Sequence, residues 1–271
     1  MTLSSLWGRF VALHVSSTGD DEPLVMLHGW GMHGGIWGGA AEQLAQHFQV
    51  HCVDLPGYKR GLFPSPAGRG IKGEGLEAIV SVLAAQFTGP VNVCGWSLGG
   101  QVALHWAQRH PGQIKKLVIV ASTPCFVRRM DWPCAIAGEV LQEFASALEQ
   151  NYSLTLKRFI ALQVRGSEHE RELLQAMRKR LADGGEPDMA ALRVGLAILR
   201  DTDLRGVLPQ IAQPALVIAG ERDTLTPPAA SAYLAQALPN ARMVAIGGAA
   251  HAPFLSHTSE FVEQVTGFIC G

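Results

Sequence analysis

Short runs of Val, Leu and Ile bounded by turn residues mark the first half of the chain at 9–15, 24–28, 50–54, 91–95 and 117–122, and recur at 215–220 and 242–246. They lack strict alternation, as expected for strands covered on both faces in a parallel sheet. Between them, 36–48, 74–87, 98–109, 229–237 and 259–269 repeat apolar residues three or four apart, the spacing of a helix with one buried stripe. Strands alternating with helices predict the α/β class, with a mostly parallel, doubly wound sheet and right-handed connections. From Pro124 to about Pro214 the rhythm changes. Here 139–150, 154–164, 168–181 and 189–200 all have helical spacing, and no strand is evident. This stretch reads as an all-helical lid insertion, so residues 1–123 and 214–271 form the core and 124–213 the lid. The Gly- and Pro-rich stretch 57–75 reads as a surface loop.

Composition changes this picture little. With 48% hydrophobic and 17% charged residues over 271 positions, the chain can bury a sizeable core, and disorder is excluded. The formal net charge of −1, from 22 Lys+Arg against 23 Asp+Glu, leaves no global basic field for nucleic acid or an anionic membrane. Cys52, Cys94, Cys125, Cys134 and Cys270 are scattered and never spaced as CxxC, which argues against a disulfide framework and a zinc site. The histidines show no HExxH spacing, so no metal is expected, and nothing calls for another cofactor. The first fifteen residues lack a basic segment leading into an apolar one, and no run of about 18 apolar residues occurs. A soluble, cytoplasmic, monomeric protein is the expectation.

The chemistry concentrates at Gly95-Trp96-Ser97-Leu98-Gly99, which matches the G-x-S-x-G nucleophile elbow. The pentapeptide alone is moderately specific, but a buried-type strand enters it and a helical segment leaves it, the context the motif requires. The alternative is a glycine-rich turn with a capping serine. A serine hydroxyl needs a base within hydrogen-bond reach and an acid that orients the base. Asp223 follows the run 215–220 and His251 follows 242–246, so the chain order is Ser, Asp, His. Glu221 shares the loop of Asp223 but lies closer to the strand. Asp201 and Asp203 precede the penultimate strand and read as caps for a helical segment near Leu204. His257 reads as the start of the last helix. The loop after 24–28, His28-Gly29-Trp30-Gly31, is placed to supply one oxyanion amide, from Trp30, with the other from Leu98. The Trp30 side chain either lines an acyl pocket or only packs in the core. His28 reads as a structural histidine holding the loop.

Together these residues resemble the α/β-hydrolase superfamily over essentially the whole chain. Narrower strings resemble its family of pimeloyl-[acyl-carrier protein] methyl ester esterases: LHGWG at 27–31, VDLPG at 53–57, GWSLGG at 95–100, ASTPCF at 121–126, DWP at 131–133, RFIALQ at 158–163, DLR at 203–205 and AAHAPFLSHT at 249–258. After Gly57 the family ordinarily turns through Gly-x-Ser, whereas Tyr58-Lys59-Arg60-Gly61 follows here. The resemblance implies hydrolysis of a methyl ester by a Ser97, Asp223 and His251 triad. It also implies an acyl channel lined by Phe159, Ile160, Ala161, Leu162 and Gln163, with Arg158 near an acyl-carrier protein. Residues 154–182 hold seven basic side chains (Lys157, Arg158, Arg165, Arg171, Arg178, Lys179 and Arg180) and three acidic ones (Glu168, Glu170 and Glu172), a net of 7 − 3 = +4. Such a segment could seat an acidic carrier protein, with Arg158 and Arg171 as contacts. It could equally be a solvated helix face with intrahelical pairs such as Glu168 to Arg171. The rival functions are a general short-chain carboxylesterase or carbon–carbon bond hydrolase acting on small molecules, and a non-catalytic ligand receptor. Dehalogenase and epoxide hydrolase chemistry is excluded, because it needs a carboxylate where Ser97 stands.

Overall fold

The computed structural model describes residues 13–58, 75–184 and 188–271. Its elements run β1 (His14–Thr18), β2 (Pro23–Leu27), α1 (Gly38–Leu44), β3 (Gln49–Asp54), α2 (Gly75–Gln86), β4 (Val91–Trp96), α3 (Leu98–Arg109) and β5 (Ile114–Val120). Four helices follow: α4 (Gly138–Gln150), α5 (Tyr152–Val164), α6 (Glu170–Gly184) and α7 (Met189–Asp201). The sheet then resumes with β6 (Ala215–Gly220), α8 (Pro228–Ala237) and β7 (Ala241–Ile246), and the chain closes with α9 (Pro253–Ser256) and α10 (Thr258–Cys270).

The seven strands form one sheet in the order β1-β3-β2-β4-β5-β6-β7. All pairings are parallel except β1 with β3, which is antiparallel and places His14 opposite Asp54. Every residue of β4 and β6 is buried, so these two apolar runs mark strands covered on both faces, whereas β7 at the sheet edge keeps exposed and half-buried positions. The order reverses around β2 and β4, and a crevice at such a switch point is where ligands settle in open α/β sheets.

The first strand departs from its apolar run. Residues 9–12 lie outside the described part, and β1 carries Ser16, Ser17 and Thr18 at the sheet edge, where one face meets water and the hydrophobic signal fades. The expected helix 36–48 is a short 3₁₀ turn at Gly34–Trp37 followed by α1, with Gly38 at φ +42° between them. The loop expected at 57–75 lies mostly outside the described residues. Its first residue, Gly57, has φ +83° and its carbonyl accepts from Asp188 N at 3.1 Å. Two of the four inserted helices have side-chain caps: Asn151 accepts from Leu154 N at 3.1 Å, and Asp188 from Ala190 N at 2.8 Å. Trp37, Trp96, Phe254 and Phe261 form a buried aromatic cluster, with Trp37 and Phe254 ring centroids 4.4 Å apart. Among the described residues no helix is long and apolar enough to cross a membrane.

Candidate active site

Ser97 sits on the turn from β4 to α3 with φ +54° and ψ −117°, a backbone that a residue with a Cβ rarely adopts. The surrounding chain imposes it. Ser97 N donates to Val120 O at 2.9 Å, and Ser97 O accepts from Gly100 N at 2.9 Å and from Ser122 Oγ at 2.7 Å. The glycines are required by contact: a Cβ on Gly95 would overlap the Gly99 carbonyl, and one on Gly99 would overlap the Leu27 carbonyl. The serine is thereby lifted above the strand ends at the amino end of α3, which favours negative charge.

The acid and base come from the next two crossovers. Asp223, on the turn after β6, is sealed from solvent and accepts four hydrogen bonds. Leu225 N (2.8 Å) and Thr226 N (3.0 Å) reach Oδ1, while Thr226 Oγ1 (2.7 Å) and His251 Nδ1 (2.8 Å) reach Oδ2. A carboxylate accepting that many donors is fixed in place. Because Nδ1 donates to Asp223, the neutral imidazole keeps its lone pair on Nε2. The His251 backbone is held from both sides: its N–H donates to Gln163 O of α5 at 3.1 Å, and its carbonyl accepts from Trp96 Nε1 at 2.8 Å. The hydrogen-bond chain runs from Asp223 to His251 and no further among the described residues. Ser97 and His251 meet as walls of one cavity.

That cavity has a volume of about 90 Å³, and apart from Ser97 and His251 its wall is made of apolar and aromatic side chains. Trp30, Phe159 and Leu162 belong to the wall. The Trp30 indole N–H donates to Leu192 O of α7 at 2.9 Å, and its ring meets Phe144 and Phe159 edge-on at 5.3 and 5.0 Å. Ile160, Ala161 and Gln163 are not in the wall, because consecutive helical residues point about 100° apart. Ile160 is buried in the core, and Gln163 turns its backbone carbonyl, not its side chain, to the site. Sequence reasoning missed Phe126 and Ile136 from the segment after β5, Val140, Leu141 and Phe144 of α4, Leu196 and Leu199 of α7, and Leu225. It also missed Thr226. The α4 and α7 residues do recur at helical spacing, which is the one signal that could have found them.

The amides of Trp30 and Leu98 donate to no protein group among the described residues, as an oxyanion site requires. His28 is a structural residue. Its Nδ1 donates to Gly29 O at 2.8 Å, its Nε2 accepts from Leu55 N at 3.0 Å, and burial lowers its pKa to about 4. Glu221 accepts from Gly248 N at 3.2 Å and stays clear of His251, while His257 directly precedes α10. Asp203 accepts from Arg205 N at 3.2 Å, which fits a local cap, but Asp201 pairs with Arg200. Arg158 and Arg171 are exposed and lie outside the cavity. Glu168 and Arg171 form no ion pair; the Glu168 side chain lies beside Gly248, ahead of α6.

The α/β hydrolase fold family matches residues 22–258. A pimeloyl-[acyl-carrier protein] methyl ester esterase of Nitrosomonas europaea is 45% identical over 252 residues, covering 93% of this chain and 97% of its own. One from Nitrosospira multiformis is 39% identical over 262 residues, covering 95% and 98%. Among solved structures, an esterase from Exiguobacterium antarcticum superposes with a TM-score of 0.85 at 22% identity, over 96% of each chain, a likeness of fold. The chain belongs to the α/β-hydrolase family and, within it, to the family of these two pimeloyl-[acyl-carrier protein] methyl ester esterases.

Proposed function

We propose that the chain is a serine carboxylesterase that hydrolyses the methyl ester of pimeloyl-[acyl-carrier protein], releasing methanol and pimeloyl-[acyl-carrier protein] in biotin synthesis. One observation carries the reading: a strained serine and a histidine backed by a buried aspartate converge on a single apolar cavity. His251 Nε2 takes the proton of Ser97 as Oγ attacks the ester carbonyl, and the amides of Trp30 and Leu98 hold the oxyanion. Asp223 stabilises the imidazolium. The proton passes to the methoxy oxygen, methanol leaves, and water repeats the sequence on the acyl-Ser97 ester to free the carboxylate and restore the hydroxyl.

The cavity of about 90 Å³ takes the ester end of the substrate. The rest of the chain extends to the mouth, where Val140 and Leu162 are exposed, beneath helices α4 to α7 acting as the lid over 124–213. The acidic carrier protein seats on the basic segment that includes Arg158 and Arg171, which make no ion pairs among the described residues. The enzyme works as a cytoplasmic monomer without a cofactor.

Rescue of a biotin auxotroph tests this. The wild-type chain restores growth and Ser97→Ala does not, with its fold intact and ester hydrolysis down by about 10⁴-fold or more. Near-normal turnover by Ser97→Ala would falsify the triad. The small cavity also suits a general short-chain carboxylesterase. An equal kcat/KM on carrier-bound methyl ester and on free short esters would favour that second reading.

A further inference from the structure

Two sequence strings left without a role in the chemistry, Asp131-Trp132-Pro133 and Asp203-Leu204-Arg205, meet in space through one guanidinium. Arg205 Nη1 and Nη2 donate to Asp131 at 2.9 and 3.2 Å, and Nε and Nη2 donate to Asp203 at 2.9 and 2.7 Å. Its guanidinium carbon also lies 5.5 Å from the Trp132 ring centroid. The Trp132 indole donates to Cys125 O at 2.8 Å, and Leu204 N to Pro124 O at 2.9 Å. The Arg205 side chain is only 16% exposed, whereas Asp131 is 74% exposed. A planar fork that grips two carboxylates and stacks on an aromatic face is a task for arginine that lysine cannot repeat.

This clamp closes the loop that carries the far wall of the cavity. Phe126 and Ile136 both line the cavity and stand at the two ends of the clamped segment, tied to each other by Ile136 N to Phe126 O at 3.2 Å and by Arg128 N to Ile136 O at 2.7 Å. Asp131 sits in the tight turn that Arg129 and Trp132 close with paired backbone hydrogen bonds of 3.1 and 2.9 Å, and Arg205 ties that turn to Asp203.

We infer that Arg205, through Asp131 and Trp132, is a positioning residue that sets the acyl-chain specificity of the site by fixing Phe126 and Ile136. The inference rests on ester hydrolysis at Ser97 and deepens it. Releasing the clamp lets the wall recede from the chain without touching the triad, so discrimination between long and short acyl groups falls while the chemical step persists.

The test compares 4-nitrophenyl hexanoate and 4-nitrophenyl acetate with wild type, Arg205→Lys and Asp131→Asn. In both variants the hexanoate-to-acetate ratio of kcat/KM is expected to fall on the order of fivefold, less than the loss of one methylene's contact, through a higher KM for hexanoate. Acetate hydrolysis stays within twofold. Asp131 is exposed, so Asp131→Asn keeps the test decisive if Arg205→Lys does not fold. An unchanged ratio, or an equal loss on both esters with a lowered melting temperature, overturns the inference. Failure of the wild type to hydrolyse either ester would instead strike the proposed function itself.

Discussion

The two halves of the candidate site are held by different physics. On the sheet side, Ser97, Asp223 and His251 stand on turns fixed by directional hydrogen bonds, with Asp223 alone accepting four. On the helical side, the wall of Phe144, Phe159, Leu162, Leu196 and Leu199 is held by apolar contact and has no polar anchor facing the cavity. Directional bonds set a reacting geometry to fractions of an ångström, whereas apolar contact sets volume and tolerates exchange. Precise geometry therefore belongs to the sheet side, and the shape of the cavity to the helices and the segment after β5. His251 is where they join, gripped by Trp96 of the core and by the Gln163 carbonyl of α5.

The largest effect that could break this division is on the sheet side. Asp223→Asn keeps the volume and most of the bonds but cannot accept from His251 Nδ1 as a carboxylate does, so the imidazole loses its orientation. The expected loss in kcat is about 10³- to 10⁴-fold with KM little changed, measured by steady-state hydrolysis of a 4-nitrophenyl ester. A drop of less than tenfold would mean that the bonded frame around His251 does not need the carboxylate.

A smaller effect separates two neighbours on α5. Ile160 is 2% exposed and belongs to the core; Leu162, two residues on, is 36% exposed and lines the cavity. Ile160→Ala should cost about 2–5 kcal/mol of stability and leave the ratio of long- to short-chain ester hydrolysis unchanged. Leu162→Ala should cost about 0.5 kcal/mol or less in stability and raise KM for long-chain esters by about tenfold. Denaturant melts and kinetics on the same pair of variants decide it, and a reversed pattern would exchange the roles given to the two residues.

The same contrast explains what could be read from the chain. The elbow was legible because steric necessity leaves a local mark: Gly95 and Gly99 are glycine since a Cβ would strike a carbonyl, and Ser97 lies between a buried strand and a helix. Asp223 and His251 were singled out from their place after strands, and the structure brings them together at 2.8 Å. The acyl wall was read only in part, since a string of five residues on a helix cannot share one face, and the structure brings only Phe159 and Leu162 to the cavity. Phe126 and Ile136 were illegible because their segment is tied to a distant one, by Arg205 to Asp131 74 residues away and by the Cys125–Asp203 bridge. Thr226 was missed because a hydroxyl three residues after an aspartate looks like any local cap. The edge strand β1 was misplaced because four of its five residues are polar.

Acid sharpens the comparison, because the sheet side contains a buried histidine that is neutral in the folded chain. His28 ties the loop after β2 between Gly29 O and Leu55 N, and Nε2 can accept from Leu55 only while it is unprotonated. Desolvation lowers its pKa from 6.5 to about 4 in the folded chain. Between these values the unfolded chain binds the proton and the folded chain does not, so this contribution to stability is complete above pH 6.5 and is lost as pH falls towards 4. The full swing is about 3 kcal/mol, from roughly 2.5 pKa units at 1.36 kcal/mol each. Unfolding free energies of the wild type and of His28→Gln, measured by denaturant melts from pH 7 to 4, isolate this from the carboxylates that both proteins share. The wild-type advantage should shrink steadily across that window, and a difference independent of pH would show that the proton on His28 is not what the loop after β2 excludes.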